Sequence, residues 1–521
     1  MNGVKVAVTR TVQATRCNSC KKGKQMLSKE EIKRFIDDDL ASEKKKKAAE
    51  GQRYYEAEHD ILQCRLFYYN DEGNLVEDEY RSNIRISHPF FTELADQLAA
   101  YMLSFDENPI RAKEQVDGLQ DHLDDYFDDE FWAEIGELIV GTYTKGFEYL
   151  YAYKNKEDRL SFECADSMGV VEIRAKDTDD NCEYVIYWYV DRIEKGQKKI
   201  KRIEVWDSKQ IHYFVQNGEG AIEEDKDAKV NPKPHILYGE GEGDKLEITY
   251  EDFGFIPFFR MDNNKKQISG LKPIKGLIDD YDLMECGLSN NLVDFDTPLH
   301  VVKGFDGDNL DELVLNMKVK KHIGVGEGGD VDVRTVDVPY QARKLKADED
   351  EKNIYRFGFG FNAAQVGDGN ITNVVIRSRY TLLDLKANKM ETRLKKLLKQ
   401  ILKPVLDEIN DVNGTGFKMK DIEFKFTKNI MTNETENLQN ERTRAEIKQL
   451  EVNTILNVAA QVGDEQALKA ICEVMDWDFD QLKGEIEKLK AEQELLAAQQ
   501  ALEGVETIEE PIDTPIDTPA E

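Results

Sequence analysis

Hydrophobic positions along the chain follow two periods that change by region. Between residue 28 and about residue 150 they recur at spacings of three and four, the period of helices buried on one face. Ser28 and Glu31 form a capping box ahead of Ile32, Phe35 and Ile36. After Pro89, the run Phe90, Phe91, Leu94, Leu98, Tyr101 and Met102 predicts a second helix, and Phe131 to about Tyr143 a third. From 147 to 260 the period falls to two. Cys182, Tyr184, Ile186, Trp188 and Val190 interleave with Val185, Tyr187 and Tyr189, so both faces are apolar and the strand is expected to be covered on two sides. A turn at 194–197 leads into further strands at 200–206 and 211–215. These segments predict a small antiparallel sheet attached to the first helical region.

The clearest helix follows. Phe253-Gly254-Phe255-Ile256-Pro257 leads to a polar stop at Asn263 and Asn264. Leu271, Ile274, Leu277, Ile278, Tyr281, Leu288, Leu292 and Phe295 then form one stripe with a gap at Glu285, and Val301 and Val302 mark a switch to strand. Strands are expected at 299–303, 319–325 and 331–338, with a short helix at 310–317. A polar helix is expected at 342–357, followed by a loop containing Gly358, Gly360, Gly367 and Gly369. A long helix from 372 to 409 carries Leu383, Leu394, Leu397, Leu398, Ile401, Leu402 and Val405, and Pro404 should kink or break it. Residues 432–500 return to helix. The acidic end, with PIDT at 511 and 515, is expected to be disordered. The fold class is α+β, mainly helical.

Composition narrows the function. The 521 residues give a length prior of about three or four domains. A net charge of −32 argues against a broad basic surface that grips phosphates, though not against a wall past which DNA slides. No apolar run reaches the roughly 18–20 residues of a membrane span, and residues 1–16 lack the apolar core of a signal peptide, so manufacture in a cytoplasm is expected. The seven cysteines are dispersed, as expected of reduced thiols. Cys17 and Cys20 have no second ligand pair nearby, so neither a metal nor any other cofactor is expected.

Other motifs are weak. Gly324, Gly326 and Gly329 satisfy GxGxxG, but the following valines read as strand where a dinucleotide site needs a helix, so a hairpin turn is expected. Asp306, Asp308 and Asn309 lack the rest of a calcium loop, and the acids at 124–125 and 128–130 read as a solvated helix face. GxxxxGK[ST] occurs nowhere, and no catalytic constellation emerges.

The order of blocks is more specific than any motif. DFGFIPFFRMDNN at 252–264, SGLKPIKGLIDDYDLMECGLSNNLVDF at 269–295, the stretch from NIYRFGFGFNAAQVGDG to LKKLLKQ at 353–400 and HPFFTELADQLAAYML at 88–103 together resemble the portal proteins of tailed bacteriophages, in particular the Gp6-like portals of long-tailed siphophages. The resemblance covers roughly residues 50–480. It leaves out the arm through Lys24 and the PIDT tail.

This resemblance implies a ring, usually of twelve subunits, at one vertex of the phage head. In its terms, residues 1–27 are an arm, 28–264 the wing, 265–297 the first stem helix and 298–341 the clip. Residues 342–357 are the second stem helix, 358–371 a tunnel loop, 372–429 the long wing or spine helix with a following strand, 430–500 the crown and 501–521 the acidic tail. It implies a tunnel loop that presents Phe361, Asn362, Gln365, Val366, Gly367, Asp368 and Asn370 to DNA. It also implies a stem whose Asp279, Asp280, Asp282 and Glu285 face the channel, and a clip surface with Lys303, Asp306, Lys320, Lys321 and Arg334. The apolar stripe is expected between helices, with the acids, Asp294 among them, on the opposite face. Residues 376–403 hold nine Lys or Arg against Asp384 and Glu391. That face would pair with acidic neighbours, or contact DNA or another subunit near Arg377 and Arg379.

The implied partners are further copies of the chain, the terminase large subunit, then a head-completion or adaptor protein, the major capsid and scaffolding proteins, and double-stranded DNA in transit, with no membrane. The implied location is the portal vertex of the virion, after synthesis in the host bacterial cytoplasm. The competing readings are a nucleotide-binding enzyme using the glycine-rich segments and a cytoplasmic coiled-coil scaffold.

Overall fold

A computed structural model describes residues 26–492 except 79–80, 156, 175–181, 195–197, 241–246, 296–298, 306–324, 335–339, 363–372, 429–433, 476, 480, 487 and 490–491. Two compact units result, one from residues 1–368 and 377–430, the other from 369–376 and 431–521.

The first unit begins with α1 (Lys29–Ala41) and α2 (Glu43–Tyr55). The capping box forms: Glu31 N donates to Ser28 Oγ at 3.2 Å, and Ser28 N to Glu31 Oε2 at 2.9 Å. Ser42 then ends α1 and caps α2 by accepting from Lys45 N at 3.2 Å, so one extended residue separates the two helices. Further on come α3 (Phe90–Met102), α4 (Leu119–Tyr126) and α5 (Asp129–Lys145). Asp128 caps α5 on Phe131 N at 2.9 Å, and Gly146 ends it at φ 95°. A Cβ on Gly146 would stand 2.4 Å from the Gln267 carbonyl, so both space and conformation require glycine there.

Two sheets follow. In the larger, Ile222–Glu224, Gln210–Asn217, Lys198–Trp206, Tyr184–Glu194 and Val170–Ile173 lie side by side and antiparallel, with Lys233–Pro234 also on Gln210–Asn217. Ile32 and Ile36 of α1 pack on Ile186, Ile203, Val205 and Phe214 of this sheet. In the smaller, Phe147–Lys154 runs between Phe258–Asp262 and Leu160–Ala165.

The polar stop at Asn263 and Asn264 postpones the next helix. Asn264 Oδ1 accepts from Lys266 N and Ile268 N, Asn263 and Asn264 both donate to Ile268 O, and Gln267 takes φ 55°. Helix α6 therefore starts at Lys275 and runs to Phe295, ten residues later than residue 265. An antiparallel ribbon of Leu299–Phe305 with Val325–Arg334 follows, and then α7 (Tyr340–Gly358). At the expected hairpin turn, 324–329, the chain is strand from Val325 onward, and residues 326–329 bulge out opposite Gly304, which has φ 70°. The expected helix at 310–317 and most of the strand at 319–325 lie outside the described residues.

Helix α8 (Asn373–Asn413) continues through Pro404, so of the kink or break expected there the break does not occur. Buried Leu398, Ile401, Leu402, Val405 and Leu406 bracket the proline and hold both of its flanking turns to the core, so packing outweighs the lost hydrogen bond. That core joins Leu94 and Leu98 of α3, Ile135 and Leu138 of α5, Leu394 and Leu398 of α8, Ile274 and Ile278 around the start of α6, and Ile354 of α7. A ribbon of Phe67–Tyr69 with Leu75–Glu77, and a pair of Ile110–Ala112 with Ile422–Phe424, complete the unit. The first of these was not foreseen, because three-residue strands carry too little periodicity to read.

The second unit contains α9 (Glu434–Val462) and α10 (Asp464–Met475), joined at Gly463 with φ 89°. Ile447, Leu450, Ile455 and Val474 line an apolar cavity of about 400 Å³ there. Among the described residues, five cysteines are free thiols and no helix is long and apolar enough to cross a membrane.

Leu398 is fully buried in the shared core. Leu398→Ala should cost about 2–5 kcal/mol, read as a lower urea midpoint with an unchanged slope.

Candidate functional site

Helices α6 and α7 run antiparallel, and α6 carries the four stem acids that the sequence singles out. Arg343 Nη1 donates to the Met284 carbonyl at 3.4 Å, and the guanidinium lies where a Cβ on Gly287 would come within 2.6 Å, so the glycine makes room for it. Lower on the pair, Lys346 Nζ bridges Asp280 at 2.5 Å and Asp350. These two hydrogen bonds raise the Lys346 pKa above its ordinary value.

On another side of α6 lies an extended segment, residues 82–88, that is not in a sheet. Its backbone is hydrogen-bonded to a ladder of side chains four residues apart on the helix. Asp282 Oδ1 accepts from His88 N at 3.0 Å, and Cys286 Sγ from Ile86 N at 3.2 Å. Asn290 Oδ1 accepts from Ile84 N at 2.6 Å, and Asp294 Oδ1 from Ser82 N at 3.0 Å. Asn290 Nδ2 and Cys286 Sγ return bonds to the carbonyls of Ile84 and Ile86, each at 3.4 Å. The repeat distances agree: four helical residues rise about 6 Å, and two extended residues advance about 6.7 Å. The row Asp282, Cys286, Asn290, Asp294 therefore serves as a sheet edge made of side chains, and the segment straps the helix to the α2–α3 region.

The lower end of the strap is ionic. Asp282 and His59 are fully buried, with His59 Nδ1 at 2.6 Å from Asp282 Oδ2 and His88 Nδ1 at 2.7 Å from Asp282 Oδ1. An ionised carboxylate only accepts, so both imidazoles donate to it. Burial pushes the Asp282 pKa up, but the His59 and His88 bonds outweigh it and hold the carboxyl below the usual range. The other nitrogen of His59 faces Tyr54 O at 3.3 Å, and the His59 and Tyr54 rings stack with centroids 4.5 Å apart. Beside them Lys275 Nζ joins Asp60 at 2.6 Å and Asp279 at 2.8 Å, while Tyr54 Oη donates to Asp279. Burial raises the Asp60 pKa, but Lys275 and Arg53 draw it down to about 2.

This geometry takes Asp282 out of the expected acidic face. Asp282 is enclosed by two histidines and cannot face a channel. Asp279 turns toward α2, Asp280 toward α7 and Asp294 toward the strap, because steps of one, two or three residues carry side chains round the helix at 100° each. Glu285 is half-buried. The apolar stripe also leaves the core along its length: Ile274 and Ile278 are buried, Tyr281 and Leu288 partly so, and Leu292 is exposed. His59, His88, Cys286 and Asn290 were missed. The readable signal was the polar or small residue at every fourth position of α6.

Past α7, Phe361 and Asn362 are anchored. Gln97 accepts from Phe361 N and donates to Phe361 O, both at 2.7 Å, Phe361 stacks on Tyr380 at 4.5 Å, and Asn362 Nδ2 donates to Glu351 at 2.7 Å. Lys386 Nζ lies 3.4 Å above the Tyr143 ring and donates to Gly358 O at 2.9 Å. Burial drives its pKa well below the ordinary lysine value. Gly358 and Gly360 serve close packing here: a Cβ on either would meet Leu94 within 2.6 Å, and the positive φ, 60°, belongs to Phe359. Gln365, Val366, Gly367, Asp368 and Asn370 lie outside the described residues. Arg377 and Arg379 fall in the opening turns of α8, where the backbone alone is described. Lys303 is exposed on the ribbon and Arg334 ends its second strand; Asp306, Lys320 and Lys321 lie outside the described residues. Among the described residues no group of three or more His, Cys, Asp or Glu could hold a metal ion.

Because the folded pKa of Asp282 is depressed, its contribution is complete above the unfolded value of about 3.9 and is lost as pH falls through the folded value. Asp282→Ala should cost on the order of 3–5 kcal/mol at pH 7. In urea unfolding, the gap between variant and wild type should narrow as the pH is lowered below about 4.

A family model described as phage portal protein, SPP1 Gp6-like, matches residues 34–497. Among curated relatives, the portal protein of Bacillus phage SPP1 is 24% identical over 392 residues, covering 75% of each chain. The portal protein of Clostridium phage phiCD119 is 23% identical over 430 residues, covering 78% of this chain and 87% of the relative. The chain belongs to the SPP1 Gp6-like family of phage portal proteins.

Proposed function

We propose that this phage portal protein works as a closed ring at one vertex of the phage head, a structural conduit for DNA entering and leaving rather than an enzyme. The family match carries the portal role. The ring reading is supported by apolar surface that a single copy leaves bare. Leu292 and Val293 on α6, and Tyr340 and Leu345 on α7, are exposed, Leu345 by 71%. Water-facing apolar residues on two packed helices call for a neighbour, and repetition of one heterologous contact closes a ring.

In this reading α6 and α7 are the stem, the ribbon between them is the clip, and residues 28–264 with α8 are the wing. The clip is the docking surface for terminase and afterwards for head-completion proteins, α9 and α10 belong to the crown, and the chain is a virion component. Asp279 and Asp280 are held in ion pairs within their own subunit, by Lys275 and Lys346. These acids would offer passing phosphates no cationic handle, and duplex DNA slides where nothing binds it. The nucleotide-binding alternative loses its support, because strand occupies Val325 to Arg334 where a dinucleotide motif requires a helix.

Negative-stain images of the purified protein should show rings, with a mass of about 700 kDa, twelve times the 59.9 kDa chain, at the usual ring size. Leu292→Asp and Leu345→Asp should shift the population to small species without loss of helical circular dichroism. A monodisperse monomer for the wild type would reject the ring.

A further inference from the structure

A cavity of about 660 Å³ opens beside α1, α2 and the strands Val170–Ile173 and Phe258–Asp262. Three cations line it, Lys44, Arg174 and Arg260, and one carboxylate, Glu172. This is a cationic recess in a chain of net charge −32. Glu172 is shared, accepting from Arg174 Nη2 at 3.0 Å and from Arg260 Nη1. Arg260 spends its Nε on Asp262 at 2.9 Å.

Lys44 is different. Among the described residues, no carboxylate stands within ion-pair distance of its ammonium, which lies 3.7 Å from the centroid of the Phe147 ring. The adjacent Lys45, by contrast, reaches Asp39 at 3.0 Å and the carbonyls of Ser167 and Val170. Burial and the nearby charge of Arg260 pull the Lys44 pKa down to about 8. A partly buried ammonium facing two guanidiniums across open space is a costly arrangement unless an anion completes it.

We propose that this cavity is a phosphate-binding site, with Lys44 supplying a point charge and Arg174 and Arg260 the planar donor forks. A phosphate fits better than a carboxylate. Three cations against Glu172 and the Asp262 partner of Arg260 leave a net positive charge at Lys44, and guanidiniums pair with phosphate oxygens in a bidentate manner. The volume leaves room for the organic part of an ester of nucleotide size. The same chemistry has two sources, a free phosphate or small ester and a phosphate of the DNA backbone.

Isothermal titration calorimetry on the full-length assembled protein would separate them, with inorganic phosphate, deoxyadenosine monophosphate and a twelve-base-pair duplex as titrants. Saturable heat from phosphate or the nucleotide assigns the free ester. Heat from the duplex at concentrations where phosphate is silent assigns the backbone. In either case Lys44→Met should weaken binding at least tenfold while leaving the ligand-free melting temperature within a few degrees of wild type. Arg174→Met is the second variant if the first does not fold. Affinity should also fall between pH 7 and pH 9, as Lys44 loses its proton. Absence of heat from all three titrants, or binding unchanged in a folded Lys44→Met or Arg174→Met protein, would overturn the assignment.

Discussion

The arrangement around α6 depends on one constraint: a segment outside any sheet must still satisfy its backbone. Residues 82–88 lie against a helix, whose own backbone groups are already committed to one another. Their N–H groups can therefore be met only by side chains. Asp282, Cys286, Asn290 and Asp294 meet them because four residues of helix and two of extended chain advance by nearly the same distance. One end of this ladder carries a buried carboxylate, which is tolerable because two imidazoles and a backbone amide surround it. The strap thereby makes α6 part of the body that begins at α2, not a free lever.

The same logic governs the far end of α7. The chain leaves that helix at Gly358 with its last carbonyl accepting from Lys386, whose ammonium is also covered by the Tyr143 ring. Gln97 pins the backbone of Phe361 three residues later. Leu94 fills the space that side chains at 358 and 360 would need. The entrance to the glycine-rich stretch is thus a packed and hydrogen-bonded point. That point is held by α3 and α8, helices of the shared core.

Around α6, charge is organised by pairing. A chain with net charge −32 would repel itself if its acids were left open. Lys275 and Lys346 each bind acids on α6 and on a neighbouring element, which turns repulsive clusters into crosslinks between secondary structures. The surface pairs are worth little individually, but they share a lysine and so fix the register of α6 against its partners.

Periodicity by itself determined the element types: the capped first helix, the amphipathic runs from Phe90 to Met102 and from Phe131 to about Tyr143, the antiparallel sheet and the long helix bearing Leu394 to Val405. The order of blocks determined the family. These are local or linear properties, and the apolar spacing that encodes them is carried by each segment alone. Tertiary structure decided which face each helix used. Asp282 reads as a solvated acid because acids usually are; it is buried only because His59 and His88, 223 and 194 residues away in sequence, close over it. Leu292 continues an apolar stripe whose covering core ends before reaching it. Pro404 stays inside a helix because the residues around it are held from outside. A single segment cannot encode its neighbour's side chains, so partners, burial and the neutralisation of charge became legible only once distant segments had packed together.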